Sequence, residues 1–135
     1  MNSYTMHLRD VMKARDIVGV TCFVGETEDG AFGILPGHER AIIQLSYGLA
    51  RYRQDGPDWQ YLLLPGGVLY FQGEDMTIMS RHIFQSDDLG TALGEMENRL
   101  RAEEQSLENL KANLQHLEQE MMRKLWRLET GSGMK

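Results

Sequence analysis

The chain has 135 residues, 41% of them apolar, with a formal charge of −6 and a pI near 5.2. That length buries one modest core with an appendage rather than two full domains, and leaves little room for a deep catalytic cleft. The acidic balance, with no strongly basic face, argues against a nucleic-acid partner, whose phosphates would be repelled. From the start, Met1 to Asp10 carries no apolar run of signal-peptide length, and no window approaches the roughly 20 apolar residues that span a bilayer. Membrane association is therefore expected only through a partner. Cys22 is the single cysteine, so no intrachain disulfide can form and a reducing, cytoplasmic setting fits.

Short β-branched or aromatic runs follow one another: Ile17 to Val24, Ala31 to Leu35, Ala41 to Leu45, Leu49 to Arg53, Trp59 to Leu64, Val68 to Gln72 and Met76 to Arg81. Gly, Pro and Asp punctuate them at intervals of about 8 to 12 residues, the signature of a sandwich or barrel. Alternation places Ala50 and Tyr52 on one face of their strand and Arg51 and Arg53 on the other. Gln54-Asp55-Gly56-Pro57-Asp58 reads as the hairpin loop that follows.

Near Ser86 the punctuation changes. Ten of the fourteen glycines and all three prolines precede it, and Glu95 to Thr130 has neither residue. Apolar residues then recur at a spacing of three and four. One heptad core position holds Leu93, Leu100, Leu107, Leu114, Met121 and Leu128; the other holds Met96, Glu103, Leu110, Leu117 and Lys124. A stripe interrupted by one acid and one base suits a helix docking on a partner, or a helical hairpin, better than a stable homodimeric zipper. Ser86 is the expected N-cap, Asp87 and Asp88 complement the positive end of the dipole, and Arg123, Lys124 and Arg127 its negative end before Gly131. Unbroken from Asp87 to Glu129, such a helix runs on the order of 64 Å. Charge does not distinguish the halves, since residues 1–86 and 87–135 each carry 7 basic and 10 acidic side chains.

Gly30-Ala31-Phe32-Gly33-Ile34-Leu35-Pro36-Gly37-His38-Glu39 resembles the G-x-x-G-I-L-P-G-H segment in the head of F-type ATP synthase epsilon subunits. Gly48-Leu49-Ala50-Arg51-Tyr52, Pro65-Gly66-Gly67-Val68-Leu69 and Asp87-Asp88-Leu89 resemble later family segments in the same order. The resemblance implies a flattened β-sandwich of about ten strands over residues 1–86 and a helical tail, hairpin or single helix, over 87–135. It implies a non-catalytic subunit without cofactor or metal, peripheral to the cytoplasmic face of a bacterial inner membrane. The head of such subunits joins the gamma subunit to the membrane c ring, coupling ion translocation to ATP synthesis and hydrolysis. Ala31, Phe32, His38, Glu39 and Arg40 are the residues carried over to that contact. An extended tail reaches the catalytic beta subunit and restrains hydrolysis, with Arg123, Lys124 and Arg127 as the basic contacts.

Two departures bear on mechanism. Ala31 stands where family heads often carry an acid facing the c ring. Leu89-Gly90-Thr91-Ala92-Leu93-Gly94 lacks the acid and arginine of the L-D-x-x-R-A motif with which some members bind ATP, so no ATP sensing is expected. Together they point to an alternate, sodium-coupled bacterial branch.

Each feature also has a plainer explanation. Gly33, Gly37, Gly66 and Gly67 supply positive φ angles in tight turns. His38, with no nearby acid or second histidine, is a satisfied loop residue rather than a ligand, and His7, His82 and His116 show no ligand spacing. Cys22 reads as a small buried hydrophobe. Without the resemblance, Arg123, Lys124 and Arg127 are simply a solvated helix end. An enzyme would need a nucleophile with its base or a ligand cluster, and no phosphate-binding loop is present. The alternative is a free-standing coiled-coil assembly protein with a β-sandwich head, which explains the tail but not the head segments.

Overall fold

The computed structural model describes residues 2–133, with side chains through Glu129. Among them eight strands precede one helix. The strands are β1 (Tyr4–Arg9), β2 (Ala14–Val20), β3 (Cys22–Thr27), β4 (Gly30–Ile34), β5 (Ala41–Arg53), β6 (Gln60–Gln72), β7 (Asp75–Met79) and β8 (Phe84–Ser86), and the helix is α1 (Leu89–Gly133). The chain divides into two compact units between Glu97 and Asn98, so the first turns of α1 group with the strands. Ala92, in those turns, is fully buried.

β5 and β6 organise the head. They pair from Ala41↔Phe71 to Tyr52↔Gln60, but β7 joins only the second half of β6, β8 only its first half, and β3 only the end of β5. A single sheet in the order β2-β1-β7-β6-β5-β3-β4 therefore folds over into two layers, with the long strands shared by both. The sequence reading divides each long strand in two; the count is eight rather than about ten because the chain bends within a strand instead of leaving the ladder. At the bend Gly66 and Gly67 take φ of +104° and +142°, and a Cβ on Gly67 would lie 2.3 Å from the Met79 carbonyl oxygen. Only glycine fits there. Gly33 is different: it lies inside β4 and is not among the positive-φ glycines.

β1, absent from the expected strands, supplies much of the core. Tyr4, Met6 and Leu8 alternate inward at 3%, 0% and 2% exposure, while Thr5, His7 and Arg9 face outward. It pairs in parallel with β7, and Met6 and Met76 are register partners. The Tyr4 ring meets Phe71 edge-on at 5.3 Å, and its hydroxyl donates a 2.7 Å hydrogen bond to the Ile34 carbonyl in the other layer. Burial pushes that phenol well above its ordinary range, so it stays a donor. Each fully buried large apolar side chain here contributes about 1.5–3 kcal/mol.

The run Ile17 to Val24, expected as one strand, turns a corner instead. Gly19 adopts φ +72°, and Thr21 leaves the strand to bond the Arg53 carbonyl with its N–H and hydroxyl. The alternation at β5 holds: Ala50 and Tyr52 are buried, Arg51 is exposed and Arg53 half-buried.

The N-cap of α1 is Asp88, not Ser86. Asp88 Oδ2 accepts the Thr91 N–H at 2.9 Å and the Thr91 hydroxyl at 2.8 Å, while the Ser86 hydroxyl accepts the Asp88 N–H one turn earlier. Those contacts hold the Asp88 carboxyl below its ordinary value. The tail is one helix. Glu104-Gln105-Ser106 and Asn109 do not break it, because none is Gly or Pro and Gln105 donates to Asn109 Oδ1 four residues on, at 3.2 Å. It also continues past Gly131, so Arg123, Lys124 and Arg127 stand before its last turn rather than in it.

Candidate functional site

The loop from Leu35 to Arg40 joins β4 to β5. Pro36-Gly37 makes the turn, with Gly37 at φ +83° and the His38 N–H donating to the Leu35 carbonyl at 3.2 Å. His38 Nδ1 lies 2.7 Å from the Glu39 carbonyl oxygen, which can only accept, so Nδ1 carries a proton. Its ring also meets Phe71 edge-on at 5.7 Å. A loop anchored on a core aromatic holds its shape while presenting Leu35, Glu39 and Arg40 to solvent.

Ala31 and Phe32 lie just before this loop on β4, an edge strand of the sheet. Ala31 is exposed. Phe32 is half-buried, its ring 6.1 Å from Phe23 and packed on the core, so its role in the head is partly structural. Ala31, His38, Glu39 and Arg40 therefore form an exposed, mixed-charge rim along β4 and its loop, with Phe32 beneath it. The rim offers side chains of both signs over an apolar backing. No group of His, Cys, Asp and Glu among the described residues is arranged to hold a metal ion.

Arg123, Lys124 and Arg127 are all exposed on α1. Earlier on the same helix, Leu107, Leu110, Leu114, Leu117 and Met121 are each more than half exposed. Beyond the expected stripe, Met122, Leu125 and Trp126 are also exposed, so the apolar arc widens as the basic residues appear. Spacing of three and four marks the stripe, and Met122 and Trp126 lie off it, so that pattern does not reveal them.

Two further arrangements escaped the sequence. The guanidinium groups of Arg51 and Arg53 both lie over the Trp59 ring, 4.5 and 4.7 Å from its centroid, tying the β5–β6 loop to its strand. On the outer face, His7 contacts Asp16 of β2 and Asp75 of β7. These histidine contacts join residues 9 and 68 positions apart, which no local spacing reveals.

No helix among the described residues is long and apolar enough to cross a membrane. Residues 5–86, from the second residue of β1 to the last of β8, match the family described as ATP synthase, delta/epsilon chain, beta-sandwich domain. The chain belongs to the ATP synthase delta/epsilon family. A relative in Cereibacter sphaeroides, ATP synthase epsilon chain 2, is 26% identical over 110 residues, covering 81% of this chain and 75% of the relative. The epsilon chain of Corynebacterium diphtheriae is 32% identical over 81 residues, which is 59% of this chain and 64% of that one. Among solved structures, a chain of the Euglena gracilis mitochondrial ATP synthase (OSCP/F1/c-ring) superposes with a TM-score of 0.61 at 18% identity. It covers 76% of this chain and 66% of its own. A chain of the Tetrahymena thermophila mitochondrial ATP synthase central stalk and c-ring gives 0.52 at 16%, covering 61% and 66%. These structures share the family's fold, and the curated relatives make the chain an epsilon-type member of the family.

Proposed function

We propose that the chain is a non-catalytic central-stalk subunit of an F-type ATP synthase, with residues 1–86 as the rotor joint and 87–135 as a regulatory tail. In this reading the head fixes the gamma subunit to the c ring, so that torque from ion flow passes through a stiff connection. Ala31, His38, Glu39 and Arg40 contribute the rim of that joint, with Phe32 bracing it. The complex places the chain at the cytoplasmic face of a bacterial inner membrane, held there by its partners; the sodium-coupled branch remains the reading that Ala31 and the altered tail start favour.

The observation that carries the proposal is the family match over the whole strand region, followed by a helix whose apolar stripe is exposed along its length. A switch between a parked and an extended tail needs a stripe that binds two surfaces with similar strength. Glu103 and Lys124, set among the stripe's leucines and methionines, weaken any single apolar seat and so support that balance. Arg123, Lys124 and Arg127 add positive charge for an acidic loop of the beta subunit.

The structure dictates how to test the tail. Truncation should fall after Glu97, because Ala92 is buried and the preceding turns group with the head. Deleting residues 98–135 is expected to leave assembly and coupling intact and to raise ATP hydrolysis. A truncated head that no longer joins the complex would overturn the regulatory assignment.

A further inference from the structure

The imidazole of His7 is held between carboxylates from two different strands. Nδ1 lies 2.8 Å from Asp16 Oδ1 on β2, and Nε2 lies 2.9 Å from Asp75 Oδ1 on β7. A neutral imidazole has one N–H and one lone pair, so it can donate to only one of these oxygens. The remaining lone pair would face a carboxylate at hydrogen-bond distance, acceptor against acceptor. Both contacts are made only by the imidazolium.

The local charge leads to the same result. Asp16 faces His7 from β2, Asp75 faces it from β7, and on β1 itself Arg9 Nη2 donates to Asp16 Oδ1 at 2.9 Å. Thr77, opposite His7 on β7, is uncharged. Two carboxylates against one guanidinium leave a single negative charge, which the imidazolium cancels. The His7 side chain is 25% exposed while those of Asp16 and Asp75 are 58% and 67% exposed, so water and salt screen these contacts and the hydrogen-bond geometry carries the preference. Hydrogen bonds to Asp75 and then Asp16 raise the His7 proton affinity above its ordinary value of 6.5, and the same contact lowers that of Asp16.

The arrangement sits where a clamp has leverage. β2 ends the strand order and pairs only with β1 among the described residues, with an irregular register between Tyr4 and Met6. We propose that His7 is a proton-controlled clamp: as an imidazolium it ties the edge strand β2 to β7 across β1, and when it loses its proton one of the two contacts is lost and β2 is held to β1 only by its ladder and the remaining side-chain contacts. The outer β2–β1–β7 face thus has two states separated by one proton, whichever partner the head engages. The sign follows from the raised affinity. The clamp is complete below 6.5, the value of the unfolded chain, and opens as pH rises through the higher folded value.

The test uses the full chain. Imidazole nitrogen and carbon shifts of His7 are followed by NMR from about pH 5.5 to 9, alongside amide exchange of β2 corrected for its intrinsic pH dependence. The His7 midpoint is expected above 6.5, with Asp75→Asn, which removes the largest cause of the rise, lowering it. Protection of β2 amides should fall about threefold or more through the wild-type midpoint, while Leu62–Leu64 of β6 stay protected. A His7→Gln chain should show the weakened β2 at every pH. A wild-type midpoint at or below 6.5, or β2 protection indifferent to it, overturns the clamp.

Discussion

Replacing Gly67 by alanine tests the bend on which the two-layered head depends. The residue sits at φ +142°, in a region that side chains other than glycine rarely occupy, at a cost of about 1–3 kcal/mol. The new Cβ would lie 2.3 Å from the Met79 carbonyl oxygen and 3.2 Å from Ser80 Cβ, both backbone-bound positions that cannot rotate away. Reaching an ordinary 3.4 Å contact requires β7 to retreat by about an ångström, which loosens the Val68↔Met79 rung and the Ser80 hydroxyl bond to Gly66. Adding about 1 kcal/mol for that rung gives a loss of about 2–4 kcal/mol. For a unit of this size each kcal/mol lowers Tm by about 4–8 °C, so the fall is about 8–32 °C. Trp59 fluorescence in a Trp126→Phe background reports head unfolding without the tail. Gly73→Ala is the control: φ is +65° with nothing within 4 Å of the added carbon, so only the left-handed penalty of about 1–2 kcal/mol applies. Equal losses in the two variants would refute close approach as the reason for Gly67.

Tyr4→Phe removes the hydroxyl that bridges the layers and leaves the Ile34 carbonyl without its partner; the urea midpoint should fall by the equivalent of about 1–2 kcal/mol with an unchanged slope. Asp10 accepts backbone N–H groups from Ile83, Met12 and Lys13, which hold its carboxyl down at about 2 against an ordinary 3.8. Its contribution is therefore present above 3.8 and lost as pH falls toward 2, so Asp10→Asn should flatten the acid limb of stability against pH in denaturant titrations. Asp88→Ala should speed amide exchange at Thr91, where Ser86→Ala should not; the opposite pattern would restore Ser86 as the cap.

Much of the architecture is legible in local pattern. The loss of glycine and proline after Ser86 marks the change from strands to helix, and the alternation at Ala50 to Arg53 correctly divides inside from outside. What escaped depends on distant residues. Tyr4, Met6 and Leu8 alternate clearly, yet β1 is a central strand only because it runs parallel to β7 some 70 residues away. A bend that keeps its hydrogen bonds looks, in sequence, like two strands with a turn, which is how β5 and β6 came to be counted twice. Asp88 and Ser86 are equally good caps by residue type, and only the path out of β8 decides between them. The rim at Ala31 and His38 is recognisable from family segments, whereas the anchoring of His38 on Phe71 is not. The His7 cluster leaves no trace at any short spacing, since three strands must come together to form it.

The most direct test of the central claim is capture of rotor subunits by the tagged full-length chain co-expressed with its host's gamma and c subunits. The account predicts stable co-purification of gamma with the c ring, sensitive to charge reversal at Glu39 and Arg40 on the rim. A chain that captures neither subunit and instead sediments alone as a parallel-helix oligomer through Leu100 to Leu128 would contradict it, and would favour the coiled-coil assembly protein.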